Sequence, residues 1–440
     1  MLSLFGGHYG TCDGSSRRQF LRVGTLGMAG LTLADMLRLR AQAAGEGSAK
    51  PETSVIQIML GGGQTHIDTY DPKPQAPQEF RGEFKAIPTS VSGVHVCELF
   101  PAQARVMDKM AVIRSLHHTT ADHNSGQHWI MTGFPTTQPL QNTNERPSAG
   151  SIASKLRGSN RSGVPAYVAV PNAPAFSQGA YLGPGHNPFD LGGDPSGNFR
   201  VRNLDPAGGL DLGRLEDRHY LLSKLDRIER ARDANGIMEG LDRFATSAFE
   251  MVTGPAARKA FNLGLEDPRL RDRFGRTQIG QSCLLARRLV EAGVTFVTIS
   301  EGNWDHHAQV FQQCRNQLPP LDQAIAALVE DLYTRGLSER ALLVVWGEFG
   351  RTPRVNAQAG RDHWPGAMSA LVAGGGLRMG QAIGATTRKG EQPAERPLHP
   401  EDLLHTVYHV LGINTAHEFR NEAGRPMAVL NQGRPIEELV

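Results

Sequence analysis

Eight of the 16 histidines, His66, His117, His118, His123, His128, His306, His307 and His363, follow closely on runs of apolar residues, and Asp68, Asp122, Asp305 and Asp362 accompany them. Imidazole and carboxylate side chains gathered without cysteine suit a hard-to-borderline divalent ion, Zn²⁺ or Mn²⁺ first, with Ca²⁺ or Mg²⁺ as alternatives. Two such ions about 4 Å apart would clamp a transferring phosphoryl or sulfuryl group. The candidate ligands of one or two ions are His66, Asp68, His117, Asp305, His306, His307, Glu348, Asp362 and His363.

Neighbouring candidates cannot all serve at once. Side chains of adjacent residues in an extended segment point to opposite sides, so of Asp305, His306 and His307 one histidine could bind while its neighbour orients a ligand from outside. Asp362 and His363 carry the same ambiguity. Asp71, followed by Pro72, reads equally well as a turn residue capping its own backbone. Arg351 is always charged and planar, which suits a substrate oxyanion or an ion pair with Glu348.

The elements that must position these groups are strands. Val55–Leu60, Ala111–Ser115, Ala166–Val170, Val294–Ile299, Ala341–Trp346 and Met368–Ala373 are short apolar runs rich in β-branched residues. Most of the candidate groups lie just beyond their ends, where an open α/β sheet binds its ligands. Apolar periodicity places helices at Arg214–Ala234, Leu241–Val252, Thr277–Ala292, about Leu321–Thr334 and Pro400–Leu411. The helix between the strands at 294 and 341 makes a crossover, which implies parallel strands. Gly61-Gly62-Gly63 could suggest a phosphate cradle, but no GxxxxGKS or GxGxxG pattern follows, and turn chemistry is the simpler account. Residues 158–206, dense in Gly, Pro and Asn, read as an irregular excursion.

With 440 residues the chain can bury a large core, and 46 basic against 44 acidic residues leave no excess of charge to favour a nucleic-acid or membrane-surface partner. Residues 1–44 read as an export leader: Ser16-Arg17-Arg18-Gln19-Phe20-Leu21 resembles a twin-arginine signal, followed by a weakly apolar run and Ala41-Gln42-Ala43. That run, Val23–Ala34, is well short of the roughly 20 apolar residues of a spanning helix. A polar linker at 45–53 would lead into one domain over 54–440. Cys12, Cys97, Cys283 and Cys314 show no CxxC spacing. A Cys283–Cys314 bridge is compatible with export, although Cys283 sits in a helical pattern and suits a core.

GGGQTHIDTYDPKP at Gly61–Pro74, HHTTADHNSGQHWIMTG at His117–Gly133, NWDHH at Asn303–His307, and WGEFGRTP with GRDHWP between Trp346 and Pro365 together resemble the DUF1501 family of exported bacterial proteins. That family is grouped by fold with alkaline phosphatases and sulfatases. The resemblance implies an α/β fold with a mixed, mostly parallel central sheet flanked by helices, and two metals at the strand ends. Asp305 with His306 or His307 resembles the Asp and His of a metal pair, His363 the late histidine, and Glu348-Phe349-Gly350 stands where sulfatases carry Asp-His-Gly. His123 falls about where their Cys or Ser nucleophile would be, and no Cys-x-Pro-x-Arg occurs. Thr119, Thr120 and Ser125 remain as candidate nucleophiles, or water with Asp122 or His123 as base. The implied activity is an exported, metal-dependent hydrolase of phosphate or sulfate esters, with Arg351 or a histidine stabilising developing charge. Its partner would be an anionic ester or a sulfated or phosphorylated glycan. The alternative is a non-catalytic, metal-containing binding or assembly protein of the cell envelope.

Overall fold

Apolar runs with both faces buried become the strands of a large central sheet. A computed structural model of the protein describes residues 52–138, 142–197 and 255–440, so the expected leader and the helices expected at 214–234 and 241–252 lie outside the described residues. The sheet contains β1 (Ser54–Leu60), β2 (Met110–Leu116), β3 (Tyr167–Val170), β4 (Phe189–Asp190), β5 (Phe296–Glu301), β6 (Ala341–Trp346), β7 (Met368–Gly374) and β8 (Gln381–Ile383). Their order is β8-β2-β7-β6-β1-β5-β3-β4. All run in one direction except β7, which pairs antiparallel with both β6 and β2. This is the mixed, mostly parallel sheet that the sequence leads one to expect.

Side chains alternate between two buried layers. From β1, Ile56, Ile58 and Leu60 join one cluster, while Val55 and Met59 join the other. The first is covered by the helices Gln278–Ala292 and Val310–Thr334 through Leu284, Leu285, Ile325 and Leu328. The second is covered by α1 (His123–Thr132), α2 (Ala149–Leu156) and the helix Pro400–Leu411 through Ile130, Ile152, Leu403 and Val407. The helix Gln278–Ala292 begins at its cap Thr277, whose side chain accepts from the Gly280 N–H, and stops at Gly293 with φ 110°. We label it α3, the helix Val310–Thr334 α4 and the helix Pro400–Leu411 α5.

Two expectations change. The α4 helix starts at Val310 rather than near Leu321 and runs through Pro319 and Pro320. Its buried stripe extends back through Leu318, Cys314 and Val310, and that burial works against the roughly 3 kcal/mol penalty of each interior proline. Cys283 and Cys314 are both free and buried, as is Cys97, so no bridge joins them. The excursion at 158–206 holds β3 and β4 with single turns at Ala180–Leu182 and Pro184–His186 within its described part. No described helix is long and apolar enough to cross a membrane.

The β6–β7 connection decides where the chemistry lies. No helix intervenes between Trp346 and Met368, only a two-residue ribbon pairing Gly350–Arg351 with His363–Trp364, so the chain returns antiparallel beside β6. The amino end of β7 therefore stands at the same sheet edge as the carboxyl ends of β1, β2, β5 and β6.

Candidate metal centre

Asp305, in the loop after β5, stands at the middle of this edge. Its Oδ1 lies 3.0 Å from Nε2 of both His363 and His307, and its Oδ2 lies 3.4 Å from Nε2 of His123. The Nε2 atoms of His307 and His363 are themselves 3.0 Å apart. Ligand atoms of His123, Asp305 and His363 all fall within 4.8 Å of one another, the one group of this kind among the described residues.

The other side of each ring fixes its hydrogen. His307 Nδ1 is 2.6 Å from Asp362 Oδ1, His363 Nδ1 is 2.7 Å from the Ala121 carbonyl, and His123 Nδ1 is 2.7 Å from Glu348 Oε1. Carbonyl and carboxylate oxygens only accept, so each Nδ1 donates and each neutral ring keeps its lone pair at Nε2. The Nε2 lone pairs of His307 and His363 then face a carboxylate across about 3 Å, with His123 alongside. That arrangement is repulsive by itself, and a cation relieves it. Histidines oriented from behind by carboxylates or carbonyls are the usual outer support of such an ion. Glu348 is buried, its Oε1 also accepting the Gly62 N–H at 2.7 Å, and its Oε2 has no hydrogen-bond partner.

Electrostatics agree with the geometry. Burial would raise the Asp305 carboxyl, but the hydrogen bond and the charge of Arg351 hold it well below the usual carboxylate range. The hydrogen bond from His307 lowers Asp362 in the same sense. His123 is raised above its ordinary value, chiefly by its hydrogen bond to Glu348.

Close backbone approach, not phosphate binding, accounts for the glycines after β1. A Cβ on Gly62 would lie 2.5 Å from the Asp305 nitrogen, and one on Gly63 would lie 2.7 Å from the Phe349 oxygen. Phe349 is buried and packs its ring 4.6 Å from His363 and 5.1 Å from His123. The glycine turn thus forms a floor on which the Asp305 and Phe349 loops sit.

The model of the family described as "Protein of unknown function (DUF1501)" matches residues 52–440. The chain belongs to the DUF1501 family. None of the curated proteins matches its sequence. Among solved structures it is similar to Ps i-CgsB in complex with k-i-k-neocarrahexaose, at 12% identity over 83% of this chain and 73% of that one, with a TM-score of 0.40. It is also similar to the PsFucS1 sulfatase from Pseudoalteromonas sp., at 11% identity over 86% of this chain and 70% of that one, TM-score 0.32. A third is the alkaline phosphatase from the Antarctic bacterium TAB5, at 12% identity over 83% and 99%, TM-score 0.36.

In this DUF1501 chain several expected site residues take other partners. Asp68 and Arg361 form a fully buried ion pair at 2.7 Å, and Thr65 donates to the same carboxylate at 2.9 Å. His66 is buried with Nε2 on the Gly390 carbonyl at 2.8 Å, and His306 has Nε2 on the Asn303 carbonyl at 2.8 Å. His117 places Nδ1 3.1 Å from the Leu398 carbonyl and packs against His399 with ring centroids 4.4 Å apart and the rings tilted by 40°. These four are not gathered around Asp305 with the others. Asp122 caps α1, its Oδ1 accepting from the Ser125 N–H at 2.9 Å and the Ser125 hydroxyl at 3.0 Å. Asp122 and Ser125 are thus paired with each other at the start of α1. Asp71 pairs with Lys73 at 2.9 Å and accepts from the Thr386 hydroxyl.

Arg351 is 1% exposed and nearly spent. Nε donates to the Gly63 carbonyl at 2.9 Å, Nη1 to the Arg361 carbonyl at 3.1 Å, and Nη2 to the Gly62 carbonyl and to Asp305 Oδ1, the latter at 2.6 Å. Its acidic partner is therefore Asp305, not Glu348, and it has little left for a substrate oxyanion. Sequence reasoning missed Arg361 and Phe349, both fully buried against the site loops. Each is adjacent to a candidate ligand in GRDHWP and WGEFGRTP, but nothing in a single sequence shows that such a residue is buried.

Proposed function

We propose that this DUF1501 protein is an exported hydrolase of phosphate or sulfate esters that holds a divalent cation with Asp305, His307 and His363. The observation that carries this reading is the convergence of their lone pairs, with the opposite ring nitrogens already committed to Asp362 and Ala121. Two imidazoles and one carboxylate leave coordination positions open, as catalytic sites require. A cation bound there supplies Lewis-acid polarisation of an ester oxygen. The chain's own residues orient and move protons. Glu348 holds His123 by Nδ1 with Nε2 toward Asp305, and the raised affinity of His123 for its proton suits it to protonate the leaving oxygen. The leader-like sequence over 1–44 supports export, and the ligand chemistry fits a sulfated or phosphorylated glycan as well as a small ester.

One observation favours the second reading, a non-catalytic cation-containing binding protein of the envelope. Ser125, whose hydroxyl donates to Asp122, is only 7% exposed, which limits its reach to an ester. Ion content of the purified protein, followed by a panel of aryl phosphates, phosphodiesters and aryl sulfates with and without chelator, tests both. Chelator-sensitive turnover is the expected result. An ion-loaded protein inert across the panel indicates the binding role, and a native protein that takes up no divalent ion overturns both.

A further inference from the structure

We infer, resting on the cation-holding role proposed above, that Arg351 is a positioning residue that sets the ion selectivity of the centre, favouring imidazole-seeking ions such as Zn²⁺ over oxygen-seeking ions such as Mn²⁺, Mg²⁺ or Ca²⁺. It does so through Asp305, the carboxylate at the middle of the cluster, without touching substrate.

The guanidinium is placed for this and for little else. Its Nη2 donates at 2.6 Å to Asp305 Oδ1, the same oxygen that lies 3.0 Å from Nε2 of His307 and of His363. It cannot swing away to a ligand without abandoning the carbonyls of Gly62, Gly63 and Arg361. Burial also denies it water as a substitute partner. A permanent positive charge at hydrogen-bond distance takes one lone-pair direction of Oδ1 and draws electron density from the carboxylate. The oxygen that faces the cation is thereby a poorer donor than a free aspartate.

The imidazoles are treated in the opposite way. Asp362 accepts from His307 Nδ1, and the Ala121 carbonyl accepts from His363 Nδ1, which makes these rings more basic at Nε2. One set of outer contacts strengthens nitrogen donors while another weakens the one central oxygen donor. Ions that gain from imidazole tolerate this, whereas ions that depend on carboxylate oxygen lose their principal ligand. A guanidinium and a dication sharing one carboxylate also repel, which penalises weakly held ions first.

The test compares Zn²⁺ with Mn²⁺ in chelator-competition titrations of the full-length native protein, Arg351→Lys and Arg351→Gln. Outer-shell changes shift metal affinity by about 10–100-fold. The expected result is a Zn²⁺-over-Mn²⁺ preference that falls about tenfold or more in Arg351→Gln and much less in Arg351→Lys, which keeps the charge. A merely structural loss would weaken both ions together and leave their ratio unchanged, and that outcome overturns the inference. Should Arg351→Gln fail to fold, X-ray absorption on the Zn²⁺-loaded native protein decides: a nitrogen-rich shell is expected, and an oxygen-dominated shell refutes the proposal. A native protein that binds no divalent ion overturns the proposed function and this inference with it, whereas binding with an unaltered ion ratio overturns only the inference.

Discussion

His307 and His363 meet Nε2 to Nε2 at 3.0 Å, while their Nδ1 atoms face Asp362 and the Ala121 carbonyl. Neither ring can turn to donate to the other without giving up a partner behind it. Between neutral rings the contact is therefore one of two lone pairs, with Asp305 Oδ1 3.0 Å from both. A residue pair that repels unless something positive lies beside it is the physical core of the proposed centre.

Removing one of these rings and removing its support should differ in degree. His363→Ala is expected to abolish stoichiometric ion binding, because it deletes a donor. Asp362→Ala leaves His307 in place but frees its ring, and should weaken binding about 10–100-fold. Dialysis against graded free Zn²⁺ measures both. Unchanged ion content in His363→Ala would remove that residue from the centre.

Assigning His123 to proton transfer makes a separable prediction. His123→Gln should retain the ion within a few-fold yet lose most turnover, since general acid–base groups contribute about 10²–10⁴-fold in rate. Loss of the ion instead would make His123 a ligand, consistent with its place among the groups within 4.8 Å.

Much of this was legible in the sequence because it depends on strand ends. Asp305, His307 and His363 follow or precede apolar runs that form β5 and β7, and a sheet brings such ends to one edge. What could not be read is which side chain turns inward. His306 and His307 are adjacent and look alike, yet one is bound to the Asn303 carbonyl and the other faces Asp305. Asp68 resembled a ligand by type, and only the distant Arg361 reveals it as half of a buried pair. That pairing spans 293 positions, beyond any local pattern.

The Asp68–Arg361 pair has no exposed side chain on either partner, so breaking it leaves an uncompensated buried charge. Arg361 also donates to the Phe80 carbonyl at 2.9 Å and to the Thr352 carbonyl at 3.1 Å, tying together loops that flank the centre. Asp68→Ala is expected to destabilise the protein by about 3–5 kcal/mol in urea unfolding. The double substitution Asp68→Leu with Arg361→Leu should cost less than the sum of its parts. Strict additivity would contradict the coupling.

Stability should fall on mild acidification. Burial pushes His66 and His118 down from 6.5 to about 4. The folded state thus keeps both rings neutral where the unfolded chain protonates them. Their contribution is complete above pH 6.5 and is lost as pH drops from there toward 4, by up to about 1.4 kcal/mol per pH unit for each ring. Unfolding free energies at pH 7.5, 6 and 5 measure the slope, and His66→Gln should make it shallower. An unaltered slope in that variant would mean that His66 does not carry this dependence.

Gly63 and Gly93 share a backbone conformation, φ 79°, but not surroundings. An added Cβ at Gly93 meets nothing within 4 Å, whereas at Gly63 it would lie 2.7 Å from the Phe349 oxygen and from its ring. Gly93→Ala therefore isolates left-handed strain, about 1–2 kcal/mol, with ion affinity untouched. Gly63→Ala adds overpacking of about 1–3 kcal/mol and displaces the ring that supports His123 and His363, so it should also weaken ion binding. Thermal unfolding and Zn²⁺ titration of the two variants separate the effects. Equal behaviour of the pair would show that the glycine turn does not support the centre through Phe349.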